Sequence, residues 1–232
     1  MKYTPNKDIL YEIIGALNDA KLPIIFKGAN VTNVILKEND SPYIRRTTDI
    51  DSSWYGENPT TSNIELMLID ALKPYGYDVE KIRELDGKVK SAGFKILKDG
   101  LPVAKIDIDI HKVINSKKYF YGSIEFVGVS FEEILADKFC AISQKSVYRR
   151  IKDLTDIYSL LTIFTPSVED LYKIILESEK NLGNFDELLR NFELLKKCYN
   201  DLKMENKPEF KEVYECTVNW ANKFNDLNCD KP

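Results

Sequence analysis

The stretch Arg45-Arg46-Thr47-Thr48-Asp49-Ile50-Asp51-Ser52-Ser53-Trp54 decides how the rest of the chain is read. In an extended strand successive side chains alternate faces, so Asp49 and Asp51 point the same way, roughly 6–7 Å apart along the backbone. Two carboxylates at that spacing can grip hard cations, which take oxygen ligands. Upstream, an apolar run, Pro23-Ile24-Ile25-Phe26, ends in Lys27-Gly28-Ala29-Asn30. Downstream lies a second acidic strand, Val103-Ala104-Lys105-Ile106-Asp107-Ile108-Asp109-Ile110-His111. Asp107 and Asp109 alternate in the same manner, with Ile106, Ile108 and Ile110 making the opposite face apolar. Burying unpaired carboxylates is prohibitively costly, so these acids need a metal, a basic partner or water. For either pair alone, an exposed strand face meeting solvent is enough. Two such pairs on one small sheet repel each other, and a divalent cation between them resolves the repulsion.

The glycine gains weight from its place in this order. A strand followed by Lys27-Gly28 and a helix offers backbone N–H groups at the helix start, where an anion is welcome. A helix is expected over 5–20, capped by Thr4 with Pro5 at its first position and striped by Ile9, Leu10, Ile13, Ile14 and Leu17. Residues 23–26 read as a buried strand and 29–37 as a second helix. Ser62 with Glu65 signals a helix reaching Leu72. Residues 77–85, 91–97 and 103–113 read as strands, the last two joined by the turn Lys98-Asp99-Gly100, and 119–127 as a further short strand. From Ser130 the period turns helical, over 130–145, 149–164, 167–180, 184–203 and 208–227. The expected organisation is an α/β domain over 1–128 and an all-helical domain over 129–232.

Composition narrows the function classes. The 232 residues are 44% hydrophobic and 30% charged, as in ordinary soluble domains. No apolar run approaches the roughly 20 residues of a membrane span, and Glu12 interrupts the first amphipathic segment, so no secretory signal is read. Four scattered cysteines and a single histidine argue against a zinc site or a disulfide framework and for a reducing cytoplasm. A net charge of −4 leaves no overall basic footprint, although Lys145, Arg149, Arg150 and Lys152 crowd one segment and Lys112, Lys117 and Lys118 follow the acidic strand.

The order of glycine turn, DxD strand and later acid resembles the nucleotidyltransferase fold shared with DNA polymerase beta. Phe26-Lys27-Gly28-Ala29 followed by Arg45 to Asp51 is similar to the LKGG…RxSxDID signature of the AbiEii/AbiGii-type nucleotidyltransferase toxins. Phe131-Glu132-Glu133-Ile134-Leu135-Ala136-Asp137-Lys138-Phe139-Cys140-Ala141-Ile142 resembles that family's EEILADKLxAL helix. Arg149-Arg150-Ile151-Lys152-Asp153-Leu154-Thr155-Asp156-Ile157-Tyr158 is similar to its RxxKDLYDLY helix. One departure is Ala29-Asn30, where the family commonly has a second glycine and a small hydroxyl residue.

The resemblance implies an α+β fold: a nucleotidyltransferase-type mixed sheet with flanking helices, followed by a C-terminal helical bundle. It implies that Asp49, Asp51 and Asp107 bind two Mg²⁺ ions bridging the triphosphate, Asp107 matching the family's K-L-D-I segment and Asp109 standing in reserve. Asp107 would also take the proton of the incoming hydroxyl. Lys27, Arg45 and Lys138 would neutralise phosphate charge, amides near Gly28 would add donors, and Thr47 would fix the loop before the acids. Asp137, Asp153 and Asp156 would orient Lys138 and Arg150. His111 reads as a capping or packing residue or a substrate contact; Trp54 and Tyr55 read as base-stacking or core residues. The implied activity is transfer of a nucleoside monophosphate from an NTP to an acceptor hydroxyl, on tRNA, protein or a small molecule. The implied setting is a toxin–antitoxin or phage-defence system with a cognate antitoxin. Two other readings stay open: an antibiotic- or metabolite-modifying nucleotidyltransferase, and a non-catalytic nucleotide- or partner-binding module.

Overall fold

The computed structural model describes residues 7–57, 59–86 and 88–229, so the expected Thr4 cap and Pro5 lie outside the described residues. Contacts gather the chain into two units. The first takes the described residues up to Val34 together with Arg46–Val129, and the second takes Ile35–Arg45 together with the described residues from Ser130 on.

In the first unit, helix α1 (Lys7–Asp19) buries Leu10, Ile13, Ile14 and Leu17 along one stripe. Strand β1 (Ile24–Lys27) leads into helix α2 (Gly28–Glu38), which belongs to this unit as far as Val34. Then come β2 (Asp49–Trp54), α3 (Thr61–Leu72), β3 (Tyr77–Arg83), β4 (Ser91–Lys98), β5 (Leu101–Asp109), β6 (Ser116–Tyr121) and β7 (Ile124–Val129). The strands form one mixed sheet in the order β3-β4-β5-β2-β1-β7-β6. β2 runs parallel to β5 and β1 parallel to β7, while β1 and β2 are antiparallel. Ile50, Phe94, Ile96, Ile106 and Ile108 are fully buried on one face, and the residues alternating with them carry the acids.

The second unit is helical: α4 (Phe131–Ile142), α5 (Ile151–Leu161), α6 (Val168–Glu177), α7 (Asp186–Arg190), α8 (Phe192–Asn200) and α9 (Phe210–Cys229). The Ser130 and Ser167 hydroxyls accept the N–H groups of Glu133 at 3.2 Å and Asp170 at 3.0 Å, as their sequence patterns predict. Leu135, Leu154, Ile157, Leu171 and Phe185 form the core, and Phe139 lies 5.5 Å from Trp220 and 5.0 Å from Phe224, centroid to centroid. Among the described residues no helix is long and apolar enough to cross a membrane.

Several expected boundaries shift for local reasons. Helix α3 is capped by Thr60, whose hydroxyl accepts the Asn63 N–H at 3.2 Å, so Ser62 falls inside the helix. The single strand expected over 119–127 is a hairpin, because Gly122 takes φ +60° and turns β6 back as β7. The expected helix over 184–203 breaks at Asn191 into α7 and α8, and that over 149–164 starts as a 3-10 turn, Val147–Arg150.

Candidate active site

Register explains which acids share a neighbourhood. In the parallel β2/β5 pair, Asp51 stands opposite Asp107, Ser53 opposite Asp109 and Asp49 opposite Lys105. Aligned residues on paired strands project to the same face, so all six share one. The Ser53 hydroxyl confirms it by donating to Asp109 Oδ1 at 2.7 Å. On the other flank Lys27 stands opposite Asp51, and the chain turns at Gly28 with φ +67°. A Cβ at position 28 would overlap a carboxylate oxygen of Asp51, so only glycine fits both the dihedral and the approach. The start of α2 is thereby held directly against the Asp51 side chain.

Neighbouring groups fasten this row. Asn30 donates from Nδ2 to the Asp49 carbonyl at 2.8 Å, and the Asn30 carbonyl accepts the Tyr11 hydroxyl at 2.9 Å. The departure from the family pattern at Asn30 thus serves as a clamp between α2 and β2. The Thr47 hydroxyl accepts the Asp49 N–H at 3.3 Å, which shapes the approach to the acids. Asp107 accepts from Arg83 Nη2 and from Lys105 Nζ, each at 2.5 Å. Asp109 accepts from Lys27 Nζ, the Ser53 hydroxyl and the His111 N–H, and its carboxylate also pairs with His111 Nδ1 at 3.2 Å. Burial alone would raise the Asp109 carboxyl; His111, Lys27 and Ser53 overcome it and hold the group well below the usual carboxylate range.

The donor chemistry of the row fits magnesium. Asp49, Asp51 and Asp107 present hard carboxylate oxygens on one face, and Asn30 Oδ1 is buried with no hydrogen-bond partner among the described residues. Among the described residues no three acidic, histidine or cysteine side chains converge enough to cage a metal by themselves. Magnesium does not need such a cage, since it keeps several waters and takes one or two carboxylates together with substrate phosphates. Asp109 is a poorer donor, being committed to Lys27, Ser53 and His111.

The remaining candidates belong to the second unit, where they form a buried charge cluster. Asp156 accepts from Arg45 through Nε at 2.7 Å and Nη2 at 2.8 Å, and from Lys138 Nζ at 2.6 Å. Lys138 also donates to Asp153 at 3.2 Å, and Arg150 lies 3.8 Å from the other Asp153 oxygen. Desolvation pushes the Asp156 carboxyl up, but Lys138 and Arg45 win and hold it down to about 2. Lys138 is likewise held protonated above its ordinary value, Asp156 and Asp153 outweighing the burial that would lower it. Asp137 does not face Lys138; it pairs with Lys180, which also reaches Glu133 at 3.5 Å. Trp54 is buried and Tyr55 is exposed.

The sequence assigns no role to Arg83 or Ser53, and it marks Lys105 and Asn30 only as a motif match and a departure from the family pattern. Gly93 was the one readable signal, since glycine inside a strand marks a close approach. It stands opposite Asp107, and Arg83 passes beside it.

Three solved structures are similar to this chain, and the first of them shares its fold. MenT4, a nucleotidyltransferase toxin from Mycobacterium tuberculosis H37Rv, aligns with 97% of this chain and 83% of its own at 10% identity and a TM-score of 0.50. An antigenic nucleotidyltransferase-like protein from Paracoccidioides brasiliensis aligns with 90% of this chain and 91% of its own at 15% identity and a TM-score of 0.49. The Megavirus polyadenylate synthase covers 100% of this chain with 51% of its own length at 12% identity and a TM-score of 0.43. No curated protein matches the chain. The family described as nucleotidyl transferase AbiEii toxin, type IV toxin–antitoxin system, matches residues 44–224, which take in both acidic strands and the helices bearing Lys138, Asp153 and Asp156. With well over half of its length matched, the chain belongs to the AbiEii nucleotidyltransferase toxin family.

Proposed function

We propose that this nucleotidyltransferase uses Mg²⁺ held by Asp49, Asp51 and Asp107 to move a nucleoside monophosphate from an NTP to an acceptor hydroxyl. The observation that carries the reading is the cross-strand row in which Gly28 abuts Asp51 and Asp51 stands opposite Asp107. When bound, magnesium neutralises phosphate charge and orients the reacting oxygens. The protein's own groups do the rest. Gly28 lets the first amides of α2 face an anion, and Lys27, fixed by Asp109, supplies a cation on the same face. Thr47 and Asn30 set the backbone of Asp49. The acceptor oxygen bonds to the α-phosphorus, the bond from that phosphorus to the bridging oxygen of pyrophosphate breaks, and Asp107 accepts the hydroxyl proton.

Within the second unit, Lys138 and Arg45 are proposed as fixed positive charges available to phosphate, with Asp153 and Asp156 holding Lys138 in place and Arg150 at the margin of the cluster. The acceptor we favour is an RNA hydroxyl, such as a tRNA 3′ end. Lys145, Arg149, Arg150 and Lys152 are all exposed, and sequence-blind phosphate contacts are mostly basic. The family's type IV setting supports a cognate antitoxin, and use of NTP supports a cytoplasmic site of action.

The test is incubation with Mg²⁺ and each labelled NTP, with total tRNA, with an aminoglycoside, or alone. Label on RNA is expected. Label on the aminoglycoside alone would make this an antibiotic-modifying enzyme, and nucleotide binding without transfer would leave a binding module.

A further inference from the structure

Asp107 carries two cations, and one of them reaches it by a route that the sheet is specifically shaped to provide. From Tyr77 opposite Lys98 to Lys81 opposite Phe94, β3 and β4 pair residue for residue. A bulge between Lys81 and Arg83 then puts Arg83 opposite Gly93. Without that extra residue Arg83 would fall opposite Ala92, on the side where Ala92, Phe94 and Ile96 are fully buried. A one-residue slip exchanges faces, so the bulge is what turns Arg83 toward the acids. Gly93 completes the passage: a Cβ there would lie 3.2 Å from Asp107 Oδ1 and 3.3 Å from Arg83 Cβ. Arg83 Nε donates to the Ser91 carbonyl at 2.9 Å, which orients the guanidinium while Nη2 holds Asp107.

A divalent cation that binds Asp107 competes for its charge with two side-chain cations, Arg83 on Oδ1 and Lys105 on Oδ2. Of the two, Arg83 has the donors to take up a new partner: its side chain is 38% exposed and has five N–H donors, two of which these contacts use. A guanidinium beside a triphosphate matches its oxygens in charge and planar geometry. We infer that Arg83 is a nucleotide-positioning residue that exchanges Asp107 for phosphate oxygens of the NTP when a divalent cation takes the carboxylate. The inference rests on the metal-dependent reading above and adds to it a residue and a hand-over.

The experiment titrates Mn²⁺ by electron paramagnetic resonance and measures NTP KM and kcat for the full chain, Arg83→Gln, Arg83→Lys and Asp51→Asn. Arg83→Gln is expected to bind Mn²⁺ about five-fold more tightly, the size of one partly screened charge contact. Its NTP KM is expected to rise about ten-fold or more, with a smaller change in kcat, as one charge-assisted phosphate contact is lost. Arg83→Lys should restore the original Mn²⁺ affinity and only part of the KM. If the unsubstituted chain binds Mn²⁺ and Asp51→Asn weakens it, yet Arg83→Gln leaves Mn²⁺ affinity and KM unchanged or lowers Mn²⁺ affinity, Arg83 is only a sheet fastener and the inference is wrong. If no Mn²⁺ binding is sensitive to Asp51→Asn, the metal reading itself fails, and this inference with it.

Discussion

The two charged regions of this molecule use the same residue types for different ends. On the sheet, Asp107 is 21% exposed, and its partners Arg83 and Lys105 are 38% and 36% exposed. In the helical unit, Asp156 is 3% exposed, and Arg45 and Lys138 are 10% and 6% exposed. Ion pairs in contact with water exchange partners at little cost, whereas a buried pair that loses one member leaves an uncompensated charge. The sheet acids are therefore suited to giving up their side-chain partners for a metal and a phosphate. The helical cluster is suited to staying assembled.

Substitutions on either side test that contrast. The largest effect belongs to the sheet: Asp51→Asn or Asp49→Asn should reduce Mg²⁺-dependent transfer by about a thousand-fold or more, with thermal unfolding little changed. A collapse in melting temperature would show that these acids support the fold instead. The helical cluster should behave the opposite way. Lys138→Met, which leaves the buried Asp156 with Arg45 alone, should cost about 3–5 kcal/mol in denaturant unfolding. A fully stable variant would erase the distinction between the regions.

A smaller effect follows from pH. The Asp156 carboxyl falls from its ordinary 3.8 to about 2 on folding, so its contribution, on the order of 2 kcal/mol, is present above pH 3.8 and lost as pH falls toward 2. Lys138 is raised from 10.5, so its contribution is complete below that pH and lost only above it. Acid unfolding of Asp156→Asn should lack that step. Smallest of all, Asn30→Ala should cost about 1 kcal/mol through the lost bond to the Asp49 carbonyl. Its effect on transfer should exceed its effect on stability if the clamp exists to place Asp49.

Much of this was legible in the chain. Alternation alone predicts that Asp49 and Asp51 share a face, and the later KIDID strand supplies its apolar side unambiguously. The strands and the switch to helices at Ser130 follow from periodicity and from capping hydroxyls, two of which sit where expected, whereas the mixed sheet is what the family resemblance implies. Cross-strand register was not legible. Nothing local says that Asp107 rather than Asp109 stands opposite Asp51, because that depends on where β5 docks along β2. Arg83 was invisible for a similar reason. Its face is set by a bulge, and a bulge inverts the very alternation by which strands are read. Lys105 read as part of a motif, yet only the folded strand shows its ammonium on Asp107. Asp137 read as a partner of Lys138, whereas neighbours in sequence on a helix face different ways and Lys180 arrives from elsewhere in the chain.

The measurement closest to the centre of this account compares Asp107→Asn with Asp109→Asn in labelled-NTP transfer, each checked for native unfolding. Standing opposite Asp51, Asp107 should be indispensable, and its amide variant should transfer no detectable nucleotide while Asp109→Asn keeps a measurable rate. Transfer that survives in Asp107→Asn and vanishes in a folded Asp109→Asn would contradict it.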